Sequence, residues 1–425
     1  MPISRGSIRH NLGEDAFNFA WSVIQPTRVG RRASGGEKKA LLDKIRAQFA
    51  VDHAVLFPYA RSAFYSILKA LDLPKGSEIL LTPITIGPML EVVTALGHVP
   101  VFVDVELNTY CADLNDLRAK LASHPPCFLL TYLFGYTPDI ASIRSLCDEA
   151  GTFLIEDISH NIGSRVKGKP LGTFGVAAIH SASLLKYVDG YNGAFALTHS
   201  DQIRERLEAD VAKFCDPDPR RIAKIIRTTV LWNFCLRRVP FNLFVFPLLW
   251  LIKTMRPQKF EQILGPKIAL EMDRCLPQIY FEDIAGIQCK TIGRHLDGLE
   301  KLIASRQESA ALVIDAFREI LGESITFSTH SKENTYWQFV VPVDNLFEAR
   351  NALFKHGVET GATGLMNLAA VTGVGLPGAN ALKDKHIFIP IHRWMSLKKY
   401  VEIFRILKPF LQLTKRGAKN SETVD

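Results

Sequence analysis

Lys186 ends an apolar approach and begins a polar turn that contains two glycines, in the stretch SLLKYVDGYNG at 183–193. A lysine amine attacks a carbonyl only in its neutral form, and burial favours that form by lowering the pKa of the amine. A lysine after an apolar run is, however, more often a solvated or snorkelling charge. The position alone is therefore compatible with covalent chemistry or with a surface charge.

Further polar groups follow strand-like segments or begin a helix. Asp157 ends TFLIED, Ser181 lies shortly before Lys186, and Arg61 and Ser62 begin RSAFYSILKAL. A carboxylate keeps a pyridine nitrogen protonated, and a hydroxyl at a helix start binds phosphate together with free N–H groups. Pyridoxal phosphate (PLP) requires these three: lysine, carboxylate and phosphate-binding helix start. Each also has a structural explanation as a cap or turn residue, so spacing alone leaves both interpretations open.

The elements around these residues alternate between amphipathic helices and short apolar strands. Apolar residues spaced by three and four predict helices in EKKALLDKIRAQF, RSAFYSILKAL, MLEVVTALG and DIASIRSLCDEAG. Between them, EILLTP, VPVFVDV, CFLLTYLFG and TFLIEDIS read as buried strands. This order predicts an α/β fold with a mostly parallel sheet covered on both faces. Ligands in such sheets bind beyond the carboxyl ends of the strands, where the polar residues fall.

The carboxyl-terminal part has a different pattern. Long helices predicted after about residue 265 are followed by the strands YWQFVVPV and HIFIPIH, with the helix LFEARNALFKHG between them, and by a final helix, which predicts a smaller α+β domain. We therefore divide the chain into an N-terminal arm at 1–35, a large domain at 36–219, a hydrophobic insertion at 220–265, a small domain at 266–413 and a polar tail at 414–425.

The insertion contains the apolar stretch VLWNFCLRRVPFNLFVFPLLWLI at 230–252, with basic residues on both sides. Its length would suit a membrane span, but Arg237, Arg238, Pro240 and Pro247 oppose a straight one. We predict a hairpin that lies in the membrane interface, with arginines at the headgroup phosphates. A buried helix pair or a contact between two copies of the chain is the alternative.

Composition limits the class of protein. The 425 residues are 47% hydrophobic and 22% charged, as in a folded globular protein. The net charge of +8 suits an anionic substrate or a membrane surface, whereas nucleic-acid binding is disfavoured because the basic residues lack interleaved aromatics. Seven cysteines without metal-ligand spacing predict reduced thiols and no metal site. With no signal-peptide pattern at the start, we expect a cytoplasmic protein, peripheral on the inner face of the membrane.

Several motifs in order resemble those of a known family. The stretch IEDISHNIGSRVKGKPLGTFGVAAIHSASLLK at 155–186 is similar to the signature of the DegT/DnrJ/EryC1/StrS family of sugar aminotransferases, a strand followed by E-D-x-x-Q/H, a glycine-containing turn and S-x-x-x-x-K. Upstream, YARSAFYSILKALDLPKGSEILLTP, PVFVDVELNTYCADLNDL and TYLFGYTPDI resemble the phosphate-binding helix and the segments after it. The resemblance covers roughly residues 25–200 well and the remainder loosely.

The resemblance implies fold type I of the PLP-dependent enzymes, in a homodimer with active sites near the subunit interface. It implies that Lys186 forms the Schiff base with PLP and moves the proton, that Asp157 faces the pyridine nitrogen, and that His160 contacts a ring substituent. The residues implied to hold the cofactor phosphate are Arg61, Ser62 and Ser181.

The chain departs from the family pattern in three places. No aromatic follows the T-P strand, where Ile86 and Gly87 stand instead, and QIYFEDIAGIQCK at 278–290 offers no asparagine for a phosphate contact between subunits. The turn after the lysine, VDGYNGAF, is shortened. The candidates for substrate contact are Tyr191, Asn192 and Trp337.

The expected function is amination of a keto sugar, with an amino acid such as glutamate as donor. The sugar would be nucleotide-linked, with a lipid-linked sugar as an alternative, in the biosynthesis of surface polysaccharide, glycolipid or a secondary metabolite. A dehydratase or epimerase relative is the second possibility, but dehydrating relatives carry histidine in place of the lysine. A non-catalytic scaffold at the membrane, with a decayed cofactor site, is the third.

Overall fold

The computed structural model describes residues 2–4, 12–256, 258, 276–322 and 331–411. Its centre is a sheet of seven strands, β1 His53–Phe57, β2 Glu78–Leu81, β3 Val99–Phe102, β4 Cys127–Thr131, β5 Phe153–Asp157, β6 Ala177–Ser181 and β7 Ala194–Thr198. The strand order is β1-β7-β6-β5-β4-β2-β3. Strand β7 pairs antiparallel with β1 and β6, and the other neighbours in this sheet pair parallel. The predicted mostly parallel α/β sheet is confirmed.

Alternation along the strands places hydrophobic side chains on both faces of the sheet. In β1, Val55 and Phe57 belong to one buried core, and Ala54 and Leu56 to the other. The first core also takes Phe64 and its neighbours from the helix Ala60–Leu71. Helices therefore cover both faces, as a parallel sheet requires.

Helices make up most of the remaining described chain. They are Leu12–Ile24, Pro26–Val29, Gly35–Phe49, Ala60–Leu71, Gly87–Ala95, Leu114–Leu121, Ile140–Ala150, Asp201–Val211, Pro219–Leu236, Arg238–Pro240, Phe246–Met255, Gly286–Asp297, Leu299–Leu321, Leu346–Lys355, Leu368–Val371, Pro377–Asp384 and Leu397–Leu407, with a π-helical turn at Phe241–Val245 and 3-10 turns at Gln278–Phe281 and Lys408–Phe410. The helices predicted around the central strands are all present. Two of them begin at side-chain caps, Ser34 for Gly35–Phe49 and Asp139 for Ile140–Ala150.

The carboxyl-terminal part forms a second, smaller layer. Strands Phe339–Pro342 and His386–Ile389 pair antiparallel, as YWQFVVPV and HIFIPIH predict. The helix Leu299–Leu321 packs on Leu397–Leu407, where the Phe317 and Phe404 rings lie 5.5 Å apart. Further short pairs join Ile84–Thr85 to Met366–Asn367, Val105–Glu106 to Cys111–Ala112, and Arg165–Val166 to Lys169–Pro170.

The domain boundaries drawn from the sequence stay predictions. The helix Gly286–Asp297 lies in the segment assigned to the small domain, yet it packs against Gly35–Phe49 of the large one. Its Ile292 and Leu296 belong to the same buried core as Leu41 and Ile45. The start of the segment assigned to the small domain therefore packs into the hydrophobic core of the large domain.

The insertion forms two helices joined at Arg237, whose backbone is extended. Pro219–Leu236 packs against the N-terminal helix Leu12–Ile24. From Arg238 to Met255 the chain stays helical and is apolar and long enough, by length and composition, to cross a membrane, and only 11% of that window is buried. The remainder of the insertion up to 265 lies outside the described residues, apart from Arg256 and Gln258.

Candidate active site

The polar residues singled out in the sequence meet at the carboxyl edge of the sheet. Asp157 is the last residue of β5 and Ser181 the last of β6, and these strands are neighbours. A cavity of about 470 Å³ opens there, a size typical of small-molecule sites. The predicted residues that line it are Arg61, Asp157, His160, Ser181, Lys186 and Asn192.

Lys186 lies in the turn between β6 and β7. Its backbone N–H donates to the Ser183 carbonyl at 3.1 Å, and the preceding Leu185 has a positive φ of 69°. The Nζ atom lies 4.7 Å from the centre of the Trp337 ring. Burial lowers the pKa of this amine to about 8, and nearby Asp157 opposes the shift. The neutral, nucleophilic amine is therefore far more accessible near neutral pH than in an exposed lysine.

Asp157 is buried at the cavity wall. Its Oδ1 accepts a hydrogen bond from the Ser159 N–H at 3.0 Å, and the Ser159 Oγ in turn accepts from the Ser181 N–H at 3.0 Å. Burial raises the pKa of the carboxyl group, while the hydrogen bonds from Ser159 and the charge of Lys186 lower it. This carboxylate can face a protonated ring nitrogen of a ligand in the cavity.

His160 forms a stacked pair with Trp337. The two rings lie 3.9 Å apart at an angle of 18°, and the Trp337 Nε1 donates to the Leu185 carbonyl at 3.0 Å. Burial holds the pKa of His160 well below its usual range, so the ring is neutral. The His160 Nδ1 has no hydrogen-bond partner among the described residues. Trp337 thus contacts both His160 and the lysine turn, although it is not part of the cavity lining.

Arg61 stands at the start of the helix Ala60–Leu71. Its guanidinium carbon lies 4.1 Å from the centre of the Tyr59 ring and 4.5 Å from that of Tyr280. Burial lowers the pKa of Arg61, and within the described ranges its Nε has no hydrogen-bond partner. Ser62 differs from its neighbour: it is fully buried, does not line the cavity, and its hydroxyl is likewise unpaired in the described part of the chain.

Tyr191 and Asn192 lie on different sides of the shortened turn. Asn192 lines the cavity. Tyr191 is buried away from it, where its phenol oxygen accepts from the Asn18 amide at 2.8 Å and its carbonyl accepts from the Gln288 amide at 2.9 Å. The structure therefore brings Asn192 to the site and gives Tyr191 a packing position beneath the N-terminal helix.

Glu156, which precedes Asp157 in the signature, has a structural role and does not face the cavity. Its carboxylate accepts from the Tyr132 hydroxyl at 2.6 Å and from the N–H groups of Gly172, Phe174 and Gly175 at 2.8, 2.6 and 2.7 Å. The carboxylate thereby fixes the glycine-containing turn that leads into β6. Glu156 is fully buried and does not line the cavity.

Sequence analysis missed other lining residues, among them Tyr59, Thr131, Ser159, Ser183, Arg221 and Ile225. Thr131 ends β4, so its position at the carboxyl edge carried a usable signal. Arg221 belongs to the insertion helix Pro219–Leu236 and donates to the Tyr59 hydroxyl at 2.8 Å across 162 residues of sequence. No local pattern reports a contact of that separation.

The residues present fit PLP. The cavity holds a lysine with a lowered pKa, a buried carboxylate near it, and a guanidinium at a helix start whose Nε lacks a partner in the described structure. Among the described residues, no group of three or more His, Cys, Asp or Glu side chains is arranged to hold a metal ion.

Comparison with known sequences identifies relatives of part of the chain. The model of the DegT/DnrJ/EryC1/StrS aminotransferase family matches residues 18–211. A GDP-perosamine synthase from Vibrio cholerae is 28% identical over 169 residues, which is 39% of this chain and 46% of the relative. The match thus spans less than half the length of that relative.

Solved structures match over almost the whole chain. The aminotransferase from Psychrobacter cryohalolentis has a TM-score of 0.71 at 16% identity, covering 95% of this chain and 98% of its own. The E. coli GDP-4-keto-6-deoxy-D-mannose-3-dehydratase with bound hydrated PLP has a TM-score of 0.70 at 16% identity, covering 95% and 99%. These likenesses show the fold, type I of the PLP-dependent enzymes, whereas the sequence match to the family model is limited to residues 18–211, less than half of the 425 residues. The chain is therefore similar to the DegT/DnrJ/EryC1/StrS aminotransferase family over residues 18–211, and it shares the fold of solved aminotransferases over almost its whole length.

Proposed function

We propose that the protein is a PLP-dependent aminotransferase that converts a keto sugar to an amino sugar with an amino acid donor such as glutamate. The observation that carries the proposal is the cavity that brings Lys186 and Asp157 together, with the pKa of the lysine amine lowered to about 8. The family match over residues 18–211 supports it.

When bound, PLP supplies an electron sink that stabilises negative charge on the carbon beside the reacting nitrogen. Lys186 would hold the cofactor covalently and then, once released as a free amine, carry the proton between the two carbons on either side of the reacting nitrogen. Asp157 would keep the ring nitrogen protonated. Neutral His160 would contact a ring substituent through its Nδ1, for which the described chain offers no partner. Asn192 would position the substrate, and Trp337, which does not line the cavity, would hold His160 and the lysine turn in place.

The phosphate of the cofactor would lie at the start of the helix Ala60–Leu71. Arg61 and Ser181 line this side of the cavity, and unpaired N–H groups at a helix start favour an anion. Ser62 stands next to this position, but its side chain does not line the cavity and its backbone N–H donates to the Tyr59 carbonyl at 3.1 Å.

A nucleotide-linked keto sugar is the acceptor that we favour, from surface-polysaccharide, glycolipid or secondary-metabolite biosynthesis. The relatives named above include a GDP-perosamine synthase and a dehydratase named for a GDP-linked keto sugar. The net charge of +8 suits an anionic substrate of this kind.

The direct test is turnover. The purified protein would be incubated with PLP, glutamate and a panel of nucleotide-linked 4-keto-6-deoxy sugars, and the products analysed by mass spectrometry. We expect an amino sugar and 2-oxoglutarate in equal amounts, and neither with Lys186→Ala. Loss of water from the sugar without amine incorporation would indicate dehydratase chemistry instead, and no reaction in the whole panel would favour a non-catalytic role.

We also propose that the insertion makes peripheral contact with an anionic membrane. Phe244 and Leu248 on the second insertion helix are 68% and 56% exposed, and Phe17 on the N-terminal helix that packs against the first is 63% exposed. Exposed Arg238 and Arg256 stand at the ends of the second helix. Apolar groups between cations match the chemistry of an anionic bilayer surface.

The test is flotation with vesicles that contain phosphatidylglycerol. We expect the wild type to float at low salt and the variant F244S/L248S to stay at the bottom. The matched control, V371S/V374S, removes two valines that are also exposed but lie in another part of the chain. If F244S/L248S and the control V371S/V374S floated equally, the membrane contact would be ruled out. A lower oligomeric mass of F244S/L248S than of wild type would instead assign this surface to contact between copies of the chain.

A further inference from the structure

The insertion also forms part of the active-site wall. Arg221 and Ile225 lie one turn apart on the helix Pro219–Leu236, and both line the cavity. Arg221 is the cavity-lining cation that the family motifs do not include. Its helix continues toward the exposed apolar residues of the insertion, so one element joins the proposed membrane contact to the site.

The Arg221 side chain is held in place from two directions. One guanidinium nitrogen donates to the Tyr59 hydroxyl at 2.8 Å, and another forms an ion pair with Glu282. Glu282 is fixed in turn by the Asp218 N–H, which donates to its Oε2 at 3.0 Å. The Arg221 Nε is buried, and no described residue accepts a hydrogen bond from it.

Arg61 meets Arg221 on the same tyrosine. Its guanidinium stacks against the Tyr59 ring, whose hydroxyl takes the bond from Arg221. Both arginines thus present a buried Nε for which the described chain gives no acceptor. Two carboxylates are near, Glu282 paired with Arg221 and Glu91 close to Arg61, but neither lines the cavity.

The charges in the cavity are therefore separated. Asp157, the acidic residue of the described lining, interacts with Lys186. Arg61 and Arg221 occupy the side next to Tyr59. Guanidinium groups bind phosphate oxygens through charge-assisted and often bidentate hydrogen bonds, and a fixed planar group loses little entropy in doing so.

We propose that Arg61 and Arg221 form a two-arginine site for a phosphate group, with Arg221 supplied by the insertion. This inference rests on the proposed function. The phosphate could belong to PLP or to the diphosphate of a nucleotide-linked sugar. Both sources present the same chemistry to the guanidinium groups, and binding measurements separate them.

The experiment compares ligands with and without phosphate on cofactor-free protein. Binding of PLP, pyridoxal, GDP and dTDP would be followed by quenching of tryptophan fluorescence in wild type, Arg221→Gln and Lys224→Gln. The last variant is the matched control, because Lys224 is an exposed cation on the same helix. Circular dichroism would verify that each variant folds.

We expect Arg221→Gln to weaken one class of phosphate ligand by about tenfold or more and to leave pyridoxal unchanged, with Lys224→Gln like wild type. Loss for PLP identifies the cofactor phosphate, and loss for GDP or dTDP identifies the substrate diphosphate. Unchanged affinity for all of them, equal weakening of PLP and pyridoxal, or a wild type that binds no phosphate ligand preferentially would overturn the proposal.

A second variant tests whether Arg221 binds a ligand or only joins the insertion helix to Glu282 by an ion pair. Glu282→Gln removes the ion pair but leaves the Arg221 guanidinium in place, so we expect phosphate-dependent affinity to be retained. If Glu282→Gln weakened phosphate-ligand binding as much as Arg221→Gln does, the role of Arg221 would be structural and the proposed phosphate site would be contradicted. If wild type links PLP covalently while Arg221→Gln binds every ligand normally, this inference alone fails and the proposed function stands.

Discussion

At the scale of single residues, burial distinguishes chemistry from structure in this site. Lys186 and Asp157 line the cavity with shifted pKa values, as expected of groups that work there. Glu156, one residue away, is also buried, but its carboxylate oxygens accept hydrogen bonds from neighbouring groups such as the Tyr132 hydroxyl and the Gly172 N–H. Adjacent carboxylates in one motif thus have separate tasks, because successive residues of a strand face opposite sides of the sheet.

The lowered pKa of Lys186 predicts a pH dependence. The protonated amine cannot attack, so the rate of covalent PLP attachment should rise as pH rises through about 8, instead of through the value of 10.5 for an exposed lysine. Stopped-flow absorbance of cofactor-free protein mixed with PLP between pH 6 and pH 10 measures this rate. A rate that keeps rising to a midpoint near 10.5 would show that the amine is not desolvated.

Glu156→Gln should destabilise the protein without changing a group that touches substrate. One carboxylate oxygen faces the N–H groups of Phe174 and Gly175, and the other faces Tyr132, so a glutamine NH₂ must meet a donor on either side. We expect a loss of about 1–3 kcal/mol in the free energy of unfolding by urea. Glu149→Gln, at an exposed position, is the control and should change little.

At the scale of elements, the glycine-containing turn before β6 has a steric requirement. A Cβ atom on Gly175 would lie 2.2 Å from the carbonyl oxygen of Leu154 in β5, which is backbone and cannot move aside cheaply. Gly175→Ala should therefore lower the free energy of unfolding by about 1–3 kcal/mol. Gly364→Ala, where no atom lies within 4 Å of the added carbon, should leave it nearly unchanged. Equal stabilities in chemical denaturation would contradict the geometry.

Sequence reasoning succeeded where local patterns determine position. Strand ends place Asp157 and Ser181 at the carboxyl edge of the sheet, and apolar periodicity predicts the helix that carries Arg61. It could not separate Tyr191 from Asn192, because the positive φ values of both, 58° and 68°, decide which side chain enters the cavity. Nor could it find Arg221, whose partner Tyr59 is distant in the chain.

At the scale of the whole molecule, the resemblance to this family predicts a homodimer with active sites near the subunit interface. We expect light scattering after gel filtration to give twice the 47.5 kDa mass of one chain, in detergent at high salt so that membrane contact does not interfere. A dilution series should retain this mass at micromolar protein. A monomer that nevertheless binds PLP and reacts with glutamate would show that one chain completes the site.

Absorbance spectroscopy tests most directly whether Lys186 links PLP and starts amino transfer. Wild-type protein with PLP should show a visible band that disappears on addition of glutamate and returns with 2-oxoglutarate, because the amino group moves to the cofactor and back. Lys186→Ala should lack the lysine-linked band and the cycle. A wild type without a visible band, or a Lys186→Ala variant that cycles normally, would contradict the account.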